Sequence, residues 1–396
     1  MKKLVGNEVV VVAVGARGRT GGRRRFGTVL SRGVAVVALA VLGVGVASPA
    51  WAVPAVTATI TVGSQPAGVA VSPDGTKAYV ANFGANTVSV INVATNTVTT
   101  TIAVPGGPFG VAFSPNGAKA YVTTLGAGTV SVINAATDTV VGTIAVGAGA
   151  YDVAFSPNGS RAYVTRLVVA GTVTVINVAT DSVLPGPIPV GDNPREVAIS
   201  PDGTRAYVTN AGSGTVSVIS LATNTVTGTI VVGANTAGVA FSPDGTRAYV
   251  ANADVDTVSV INVATSAVTA TILVGALPFG VAFSPDGTRA YVTNANGPTV
   301  SVIDVATNTV VGLPIPVGLQ PSWVAFSPDG TIAYVTNFGA GSLVSVISTG
   351  LAAFPAAPAL AATGADASGP LVFAAVLTLA GVAVAAGARL RIIRQR

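Results

Sequence analysis

Short runs of apolar residues alternate along the chain with turns that are rich in Gly, Pro, Asp and Asn. In one such unit the pattern predicts a strand at Gly110–Ser114, a tight turn at Pro115-Asn116-Gly117, and three further strands at Lys119–Thr123, Thr129–Asn134 and Val140–Val146. Val, Ile, Thr and Tyr dominate these runs, and such residues fit a pleated, packed surface. The pattern therefore predicts an all-β unit of four strands.

This unit recurs seven times with a period of 42 to 44 residues. Its most constant phrase is a Ser-Pro-Asp/Asn-Gly turn followed by Ala-Tyr-Val, and the Ser-Pro pairs begin at Ser72, Ser114, Ser156, Ser200, Ser242, Ser284 and Ser327. A fixed period of this length, with about four strands per unit, is typical of β-propeller blades. We therefore predict a seven-bladed β-propeller over residues 53–348. The tyrosine of each copy is expected to pack in the core with a hydrogen-bonded hydroxyl.

The two ends of the repeat region predict how the ring closes. Val56–Val62 matches the fourth strand of other units, such as Val268–Val274, whereas the seventh unit ends after its third strand, Leu343–Ile347. We expect the N-terminal strand to complete the last blade, which leaves the ring no open end. Two fourth strands contain prolines, at Pro187-Ile188-Pro189 and Pro314-Ile315-Pro316, which an outer edge tolerates.

The repeat also carries a family signature. Tyr207-Val208-Thr209-Asn210 and the matching segments 291–294 and 334–337 spell Tyr-Val-Thr-Asn, so the chain resembles the YVTN-type β-propeller repeat over about residues 56–348. Blades 1 and 5 vary the phrase to Tyr-Val-Ala-Asn, and blades 2 and 3 end it in Thr124 and Arg166. The resemblance implies a propeller fold and an extracytoplasmic location, as in bacterial and archaeal surface proteins. It implies no single activity, because related propellers include lactonases and domains of redox enzymes.

Residues 1–52 are typical of a secretory signal peptide. Six arginines lie between residues 17 and 32, an apolar stretch runs from 33 to 46, and Ala50-Trp51-Ala52 forms a small-x-small cleavage site. We expect cleavage after Ala52. Two export routes stay open, because Arg23-Arg24-Arg25-Phe26 also resembles a twin-arginine signal, while the rest fits the general secretory route.

The C-terminal region has the order of a cell-wall sorting signal. An Ala/Pro-rich stalk at residues 349–370 contains Leu360-Ala361-Ala362-Thr363-Gly364, an apolar run at 371–388 is long enough for a transmembrane helix, and a basic tail at 389–396 favours a cytoplasmic end. This order resembles a Gram-positive LPxTG-like signal. The resemblance implies that a sortase cleaves between Thr363 and Gly364 and joins Thr363 to peptidoglycan. An uncut membrane anchor is the alternative, and both place the propeller outside the cell.

Composition excludes several kinds of chemistry. The chain has no Cys and no His, which excludes disulfides, thiol nucleophiles, Cys/His zinc sites and His-dependent triads. Its net charge of +5 comes from the two ends, because residues 53–359 carry eight basic and thirteen acidic side chains. This acidic body argues against nucleic-acid binding. Asp254 and Asp256 are too few acids for a calcium site, so we predict no metal and no cofactor.

Departures from the repeat supply candidate ligand-binding residues. The two residues before the Val-Ala of each first strand are expected to lie at the channel mouth, where propellers usually bind ligands. Most blades place a small or aromatic residue and a glycine there, whereas blades 3 and 4 place Tyr151-Asp152 and Arg195-Glu196. The candidates are Phe109, Tyr151, Asp152, Arg166, Arg195, Glu196, Phe279 and Trp323. The alternative interpretation is solvated loop residues with local ion pairs, such as Arg195 with Asp152.

The sequence thus predicts a surface-anchored propeller that binds an extracellular glycan, peptide or protein without being an enzyme. No catalytic residue is assigned. A lactonase-like hydrolase is one alternative, with Asp152 or Glu196 as base and Arg195 as electrophile stabiliser, although the absence of His disfavours it. A propeller partner of an extracytoplasmic redox protein is the other.

Overall fold

The computed structural model describes residues 53–339 and 341–351, which form seven antiparallel sheets. The all-β, seven-bladed propeller predicted from the sequence is therefore confirmed. The predicted signal peptide with Ala52, the sorting site Thr363–Gly364, the apolar run 371–388 and the basic tail lie outside these residues. Within the two described ranges, no helix has the length and apolar character that a membrane span requires.

Each blade begins with an inner strand and continues outward through a second strand. The inner strands are β2 (Pro66–Val71), β6 (Pro108–Phe113), β10 (Ala150–Phe155), β15 (Pro194–Ile199), β19 (Thr236–Phe241), β23 (Pro278–Phe283) and β28 (Pro321–Phe326). The second strands are β3 (Lys77–Asn82), β7 (Lys119–Thr124), β11 (Arg161–Arg166), β16 (Arg205–Asn210), β20 (Arg247–Asn252), β24 (Arg289–Asn294) and β29 (Ile332–Asn337).

A third strand and an outer strand complete each blade. The third strands are β4 (Thr87–Asn92), β8 (Thr129–Asn134), β12 (Thr172–Asn177), β17 (Thr215–Ser220), β21 (Thr257–Asn262), β25 (Thr299–Asp304) and β30 (Leu343–Ser348). The continuous outer strands are β5 (Thr97–Ala103), β9 (Thr139–Ala145), β18 (Thr225–Val231), β22 (Ala267–Leu273) and β1 (Ala55–Thr61). Ala253–Val255 forms a single 3-10 turn in blade 5.

In blades 3 and 6 the outer strand is broken into two short pieces. These pieces are β13 (Ser182–Val183) with β14 (Ile188–Pro189), and β26 (Thr309–Val310) with β27 (Ile315–Pro316). Both pieces pair only with the third strand of their blade. The prolines thus lie on an outer edge as predicted, since an edge strand needs no donor on its free side.

The N-terminal strand completes the seventh blade. β1 runs antiparallel to β30, with Ala55 opposite Ser348 and Thr61 opposite Leu343, one residue earlier than the predicted strand. Ile60 is buried and packs with Val344 and Val346 in one core cluster. The closing strand therefore contributes hydrogen bonds and apolar burial to the same seam.

The seven inner strands form a closed ring around the central channel, because each contacts the inner strands of both neighbouring blades, including β28 with β2. The face where inner strands begin and second strands end is called here the mouth face. The opposite face carries the Ser-Pro-Asp/Asn-Gly turns and is called the turn face. Since β30 ends and β1 begins at the turn face, both described ends of the propeller lie opposite the channel mouth.

The recurring tyrosines pack between blades. Tyr79, at the centre of β3, has no exposed surface, and its ring lies 4.6 Å, centroid to centroid, from Phe113 of the next blade. Its hydroxyl donates a hydrogen bond to Asp138, also in the next blade. Equivalent Tyr–Phe pairs occur at four more seams, Tyr121–Phe155, Tyr207–Phe241, Tyr249–Phe283 and Tyr291–Phe326. The predicted packing is thus observed, and five of the seven hydroxyls make the predicted hydrogen bond, whereas those of Tyr207 and Tyr291 make none among the described residues.

Candidate functional site

Every inner strand begins with a β-bulge at the mouth face. In blade 2, Pro108 pairs with Thr124 and Val111 pairs with Val122, so Phe109 and Gly110 together oppose the single residue Thr123. The same shift occurs in the other six blades. A bulge redirects the side chains of its extra residues. The two residues singled out in each blade are thus part of the strand, and the bulge determines where they point.

The threonine of the Tyr-Val-Thr-Asn phrase holds this bulge and ties it to the next blade. The Thr209 hydroxyl accepts the N–H of Glu196 at 3.0 Å and donates to the carbonyl of Ala237 in blade 5 at 2.6 Å. Thr123, Thr165, Thr293 and Thr336 make the equivalent pair of bonds. The threonine of the Tyr-Val-Thr-Asn phrase thus stabilises the seams between blades beneath the mouth.

Aromatic side chains from four blades meet across the channel. Phe109 lies 4.5 Å from Tyr151 and 5.3 Å from Trp323, and Trp323 lies 5.2 Å from Phe279, measured between ring centroids. Tyr151 and Trp323, from blades 3 and 7, are 6.0 Å apart. These four rings are called here the mouth cluster. Phe109, Phe279 and Trp323 keep part of their surface exposed, so the cluster presents an aromatic surface that solvent can reach.

Two further aromatic residues join the cluster and were not singled out from the sequence. Phe83 lies 5.8 Å from Phe109, and Phe338 lies 6.1 Å from Phe83 and 6.5 Å from Phe109. Both directly follow the Asn of the family phrase, where the other blades have Leu or Ala. Comparing the blades at that position as well would have found them.

Arg195 reaches the mouth cluster from blade 4. Its guanidinium carbon lies 5.7 Å from the centroid of the Phe279 ring, a cation–π geometry. Small residues occupy the equivalent position in three other blades, Ala67, Ala237 and Ser322, and leave room for these contacts across the ring. The Arg195–Asp152 ion pair that the sequence suggested as an alternative is absent from the described residues.

Asp152 and Glu196 do not point into open solvent. Each side chain reaches into the seam with the following blade, where Asp152 accepts the N–H of Val197 and Glu196 accepts the N–H of Val239, both at 3.1 Å. Blades 1, 2, 5 and 6 have glycine here, and a Cβ at Gly238 would lie only 2.4 Å from a carbonyl oxygen of the next blade. Seams 3/4 and 4/5 are therefore built differently from their neighbours.

The two carboxyl groups are strongly desolvated. Burial raises the pKa of Asp152 to about 7, although N–H groups of Val197 and Val153 act in the opposite direction. Burial and the nearby Asp152 raise the pKa of Glu196 well above its usual value, against the N–H of Val239 and the charge of Arg195. The Oε1 atom of Glu196 is buried with no hydrogen-bond partner among the described residues. A desolvated pair of this kind retains protons near neutral pH.

Arg166 is not brought into the mouth cluster. Its Nε donates to the carbonyl of Ala148 at 3.2 Å, and its guanidinium covers Gly147 in the loop that joins blades 2 and 3. It takes the place of the asparagine of the family phrase, whose side chain is buried in other blades and bonds nearby hydroxyls, as Asn210 does with Thr215 and Ser217. Seven of the eight candidate residues thus gather at the mouth or in the seams beneath it, and Arg166 lies apart.

Comparisons with known proteins agree with this architecture. A family model described as "Lactonase, 7-bladed beta-propeller" matches residues 184–313, a minority of the chain that includes Arg195, Glu196 and Phe279. Hydrazine synthase from Kuenenia stuttgartiensis is a similar solved structure, with a TM-score of 0.66, 25% sequence identity, and coverage of 73% of this chain and 97% of that one. No curated protein matches the chain significantly. The fold therefore defines the class of protein, a seven-bladed β-propeller.

Proposed function

We propose that this chain is an extracytoplasmic binding propeller that holds its ligand on the mouth cluster. The observation that carries the proposal is the convergence of Phe109, Tyr151, Phe279 and Trp323, from four different blades, with Arg195 stacked at their edge. Architecture does not require large side chains here, because other blades place alanine or glycine at the same positions. A partly exposed aromatic floor with one cation is typical of a recognition site.

The position of the chain ends supports an outward-facing mouth. Ala55 and Ser348, the first and last strand residues, lie at the turn face. If the sorting signal at Thr363 and Gly364 joins the chain to peptidoglycan, or the run 371–388 anchors it in the membrane, the stalk leaves from the face opposite the cluster. The mouth then faces away from the envelope, toward an extracellular glycan, peptide or protein.

The positions of the two acids favour binding over catalysis. A general base must reach the proton that it removes, whereas Asp152 and Glu196 are at least nine-tenths buried and each caps a main-chain N–H of the next blade. Their first role is therefore to fill seams between blades. No sulfur or imidazole nucleophile is present in the sequence to replace them.

A lactonase-like hydrolase is the second candidate, favoured by the family match over Arg195 and Glu196 and by the pKa of Asp152 near 7. This function requires turnover of simple lactones that is lost in Glu196→Gln and kept in Trp323→Phe. The similarity to hydrazine synthase favours instead a propeller that accompanies a redox protein. That role requires copurification with a haem or copper protein, because this chain offers no His or Cys ligand.

Photo-crosslinking on intact cells tests the proposed function. A benzophenone-bearing amino acid in place of Phe279 is expected to capture a specific partner, and Arg195→Ala or Trp323→Ala in the same chain is expected to abolish the adduct. The matched control places the same amino acid at Leu313, which is 89% exposed on the outer side of blade 6. Equal adducts from both positions would show that the mouth is not the binding surface.

A further inference from the structure

Arg195 is a cation without an anionic partner in the described part of the chain. Three ion pairs occur there, Lys77–Asp138, Lys119–Asp181 and Arg289–Asp304, and none involves Arg195. Its side chain makes no hydrogen bond or ion pair within residues 53–339 and 341–351, where it stacks on Phe279 and acts electrostatically on the buried Glu196 and Tyr151. A guanidinium has five N–H donors, which the acceptor oxygens of a bound anion can satisfy.

The other basic side chains of the propeller are engaged. Lys119 bonds the carbonyl of Val178 and the carboxylate of Asp181, and Arg161 bonds the carbonyl of Leu221. Both line a cleft of about 860 Å³ on the turn face, but their donors are committed to the next blade. Size alone therefore does not make that cleft an anion site.

A cleft of about 800 Å³ opens directly beside Arg195 on the mouth face. Its walls come mostly from the loops of blades 4 and 5, with Leu167 from blade 3, and are formed mainly by small residues. The polar groups are Asn193, Ser213, Asn235 and Asp254. Arg195 lines this cleft and also stacks on Phe279, so it links the cleft to the mouth cluster. A ligand that bonds Arg195 from the cleft thus approaches the mouth cluster through Phe279.

We infer that Arg195 anchors a ligand that carries a carboxylate on an aromatic or other apolar body. The inference rests on the proposed function, namely that the mouth cluster is the binding surface. A planar guanidinium fork bonds both oxygens of a carboxylate, which a neutral amide cannot match. The adjacent rings of Phe279 and Trp323 receive the apolar body. Such a group is found in small arylcarboxylic acids and at the C-terminus of a peptide that ends in an aromatic residue.

The charges that face this position determine its pH dependence. Asp152 and Glu196 lie beneath Arg195, the Tyr151 hydroxyl lies beside them, and Asp254 lies on the cleft wall, bonded to Asn235. Burial raises the pKa of both Asp152 and Glu196, so the pair keeps protons near neutral pH and does not cancel the charge of Arg195. A bound carboxylate raises these pKa values further, which couples binding to proton uptake. Affinity therefore increases as pH falls from 8 to 6.

The test uses the full chain and two pairs of probes, each an acid and its matched amide. 3-Phenylpropionate and 3-phenylpropionamide represent the free acid, and N-acetyl-alanyl-phenylalanine and its C-terminal amide represent a peptide end. We expect each acid to bind at least about tenfold more tightly than its amide. Arg195→Gln removes this difference, and Arg195→Lys, which keeps the charge but not the fork, retains only part of it. Tighter binding of the peptide acid identifies a peptide terminus as the source, and tighter binding of phenylpropionate identifies a small acid.

Arg166→Gln is the matched control, because it removes the same charge on the same face, outside the cluster, and leaves the preference for acids unchanged. Equal affinity for acid and amide, or an unchanged preference in Arg195→Gln, overturns the inference. If in addition Trp323→Ala abolishes binding of both members of a pair, the mouth is still the binding surface. In that case only the role assigned to Arg195 is wrong, and the proposed function stands. If no probe binds while the crosslink from position 279 persists, the same conclusion holds.

Discussion

The hydroxyl of Tyr163 in blade 3 donates a hydrogen bond to the side-chain oxygen of Asn224 in blade 4, over 2.9 Å. Asn224 has a φ of 54°, in the left-handed region that Asn adopts more readily than most residues. The same bond links Tyr249 to Asn308 and Tyr334 to Asn96. A turn residue of one blade thus satisfies a buried tyrosine of the previous one.

Two seams in the described part of the chain lack this bond, those of Tyr207 and Tyr291, and for Tyr291 the next blade has no equivalent turn because its outer strand is β1. Tyr207 is fully buried, its hydroxyl has no partner among the described residues, and the turn of blade 5 has Ser266 where other blades have Asn or Asp. Because Ser266 also has a positive φ of 51°, Ser266→Asn is expected to raise the free energy of unfolding by about 1 kcal/mol. Urea unfolding measures this.

A double-mutant cycle isolates the new bond. Tyr207→Phe in the parent chain is expected to cost little, because it removes an unsatisfied hydroxyl, whereas Tyr163→Phe is expected to cost about 1 kcal/mol. In the Ser266→Asn background, Tyr207→Phe becomes costly as well. Equal effects of Tyr207→Phe in both backgrounds would rule out the bond.

The threonine of the family phrase offers a second prediction about the seams. Thr209→Ala leaves the buried N–H of Glu196 and carbonyl of Ala237 without their partner, so we expect a loss of about 1–3 kcal/mol in urea unfolding. Thr209→Ser keeps the hydroxyl and is expected to restore most of it. Thr223→Ala, which removes an exposed hydroxyl bonded to Thr225, is the control and should be nearly neutral. A loss as large in Thr209→Ser would assign the effect to the methyl group.

The fold could be predicted from the sequence because each blade repeats the same local signals. A Ser-Pro-Asp/Asn-Gly turn between two apolar strands occurs seven times at a nearly constant spacing. The seventh unit lacks an outer strand, and this leaves one place for Ala55–Thr61. The inner strand of blade 2 begins at Pro108, two residues before its predicted start at Gly110. The reason is the bulge opposite Thr123, which keeps Phe109 and Gly110 in the strand although they are out of register.

The candidate site was only partly predictable, because it depends on distances across the ring. Comparing blades found Phe109 and Trp323 but not their contact, which arises because blade 1 between them has only Ala67 at this position. Glu196 was expected at the rim of the channel. The β-bulge instead directs its side chain into the seam between blades 4 and 5. Arg166 was expected in the site from its adjacent position, but its side chain bonds the loop that joins blades 2 and 3.

The closing strand provides a third prediction. Ala55 and Ser348 are both exposed and directly opposed in the pairing of β1 with β30, and the chain has no native cysteine to interfere. A disulfide between Ala55→Cys and Ser348→Cys closes a loop of nearly the whole propeller, so oxidation is expected to raise the free energy of unfolding by about 3–5 kcal/mol. Adding reductant, or using either single variant, should return the parent value. No change on oxidation would mean that ring opening at this seam is not part of unfolding.

The buried acids predict an unusual pH dependence of stability. Asp152 has a pKa raised by burial to about 7, compared with a usual value of 3.8. The pKa of Glu196 is raised by burial and by the nearby Asp152. An acid whose pKa is higher in the folded chain stabilises the fold while it is protonated, and this contribution is lost as pH rises through the folded-state pKa. The free energy of unfolding should therefore decrease between pH 5 and pH 8.

We expect this decrease to be on the order of 2–4 kcal/mol, measured by urea unfolding at several pH values in constant salt. Asp152→Asn and Glu196→Gln each keep an oxygen that can accept the N–H of Val197 or Val239 while removing the titrating group. Each variant should flatten the profile. Its free energy of unfolding, compared with that of the parent at the same pH, should therefore be higher at pH 8 than at pH 5. Asp192→Asn, at an exposed carboxylate of the same face, should leave the slope unchanged. A parent profile that rises from pH 5 to pH 8 would mean that the pair is ionised throughout, and that other groups compensate its charge.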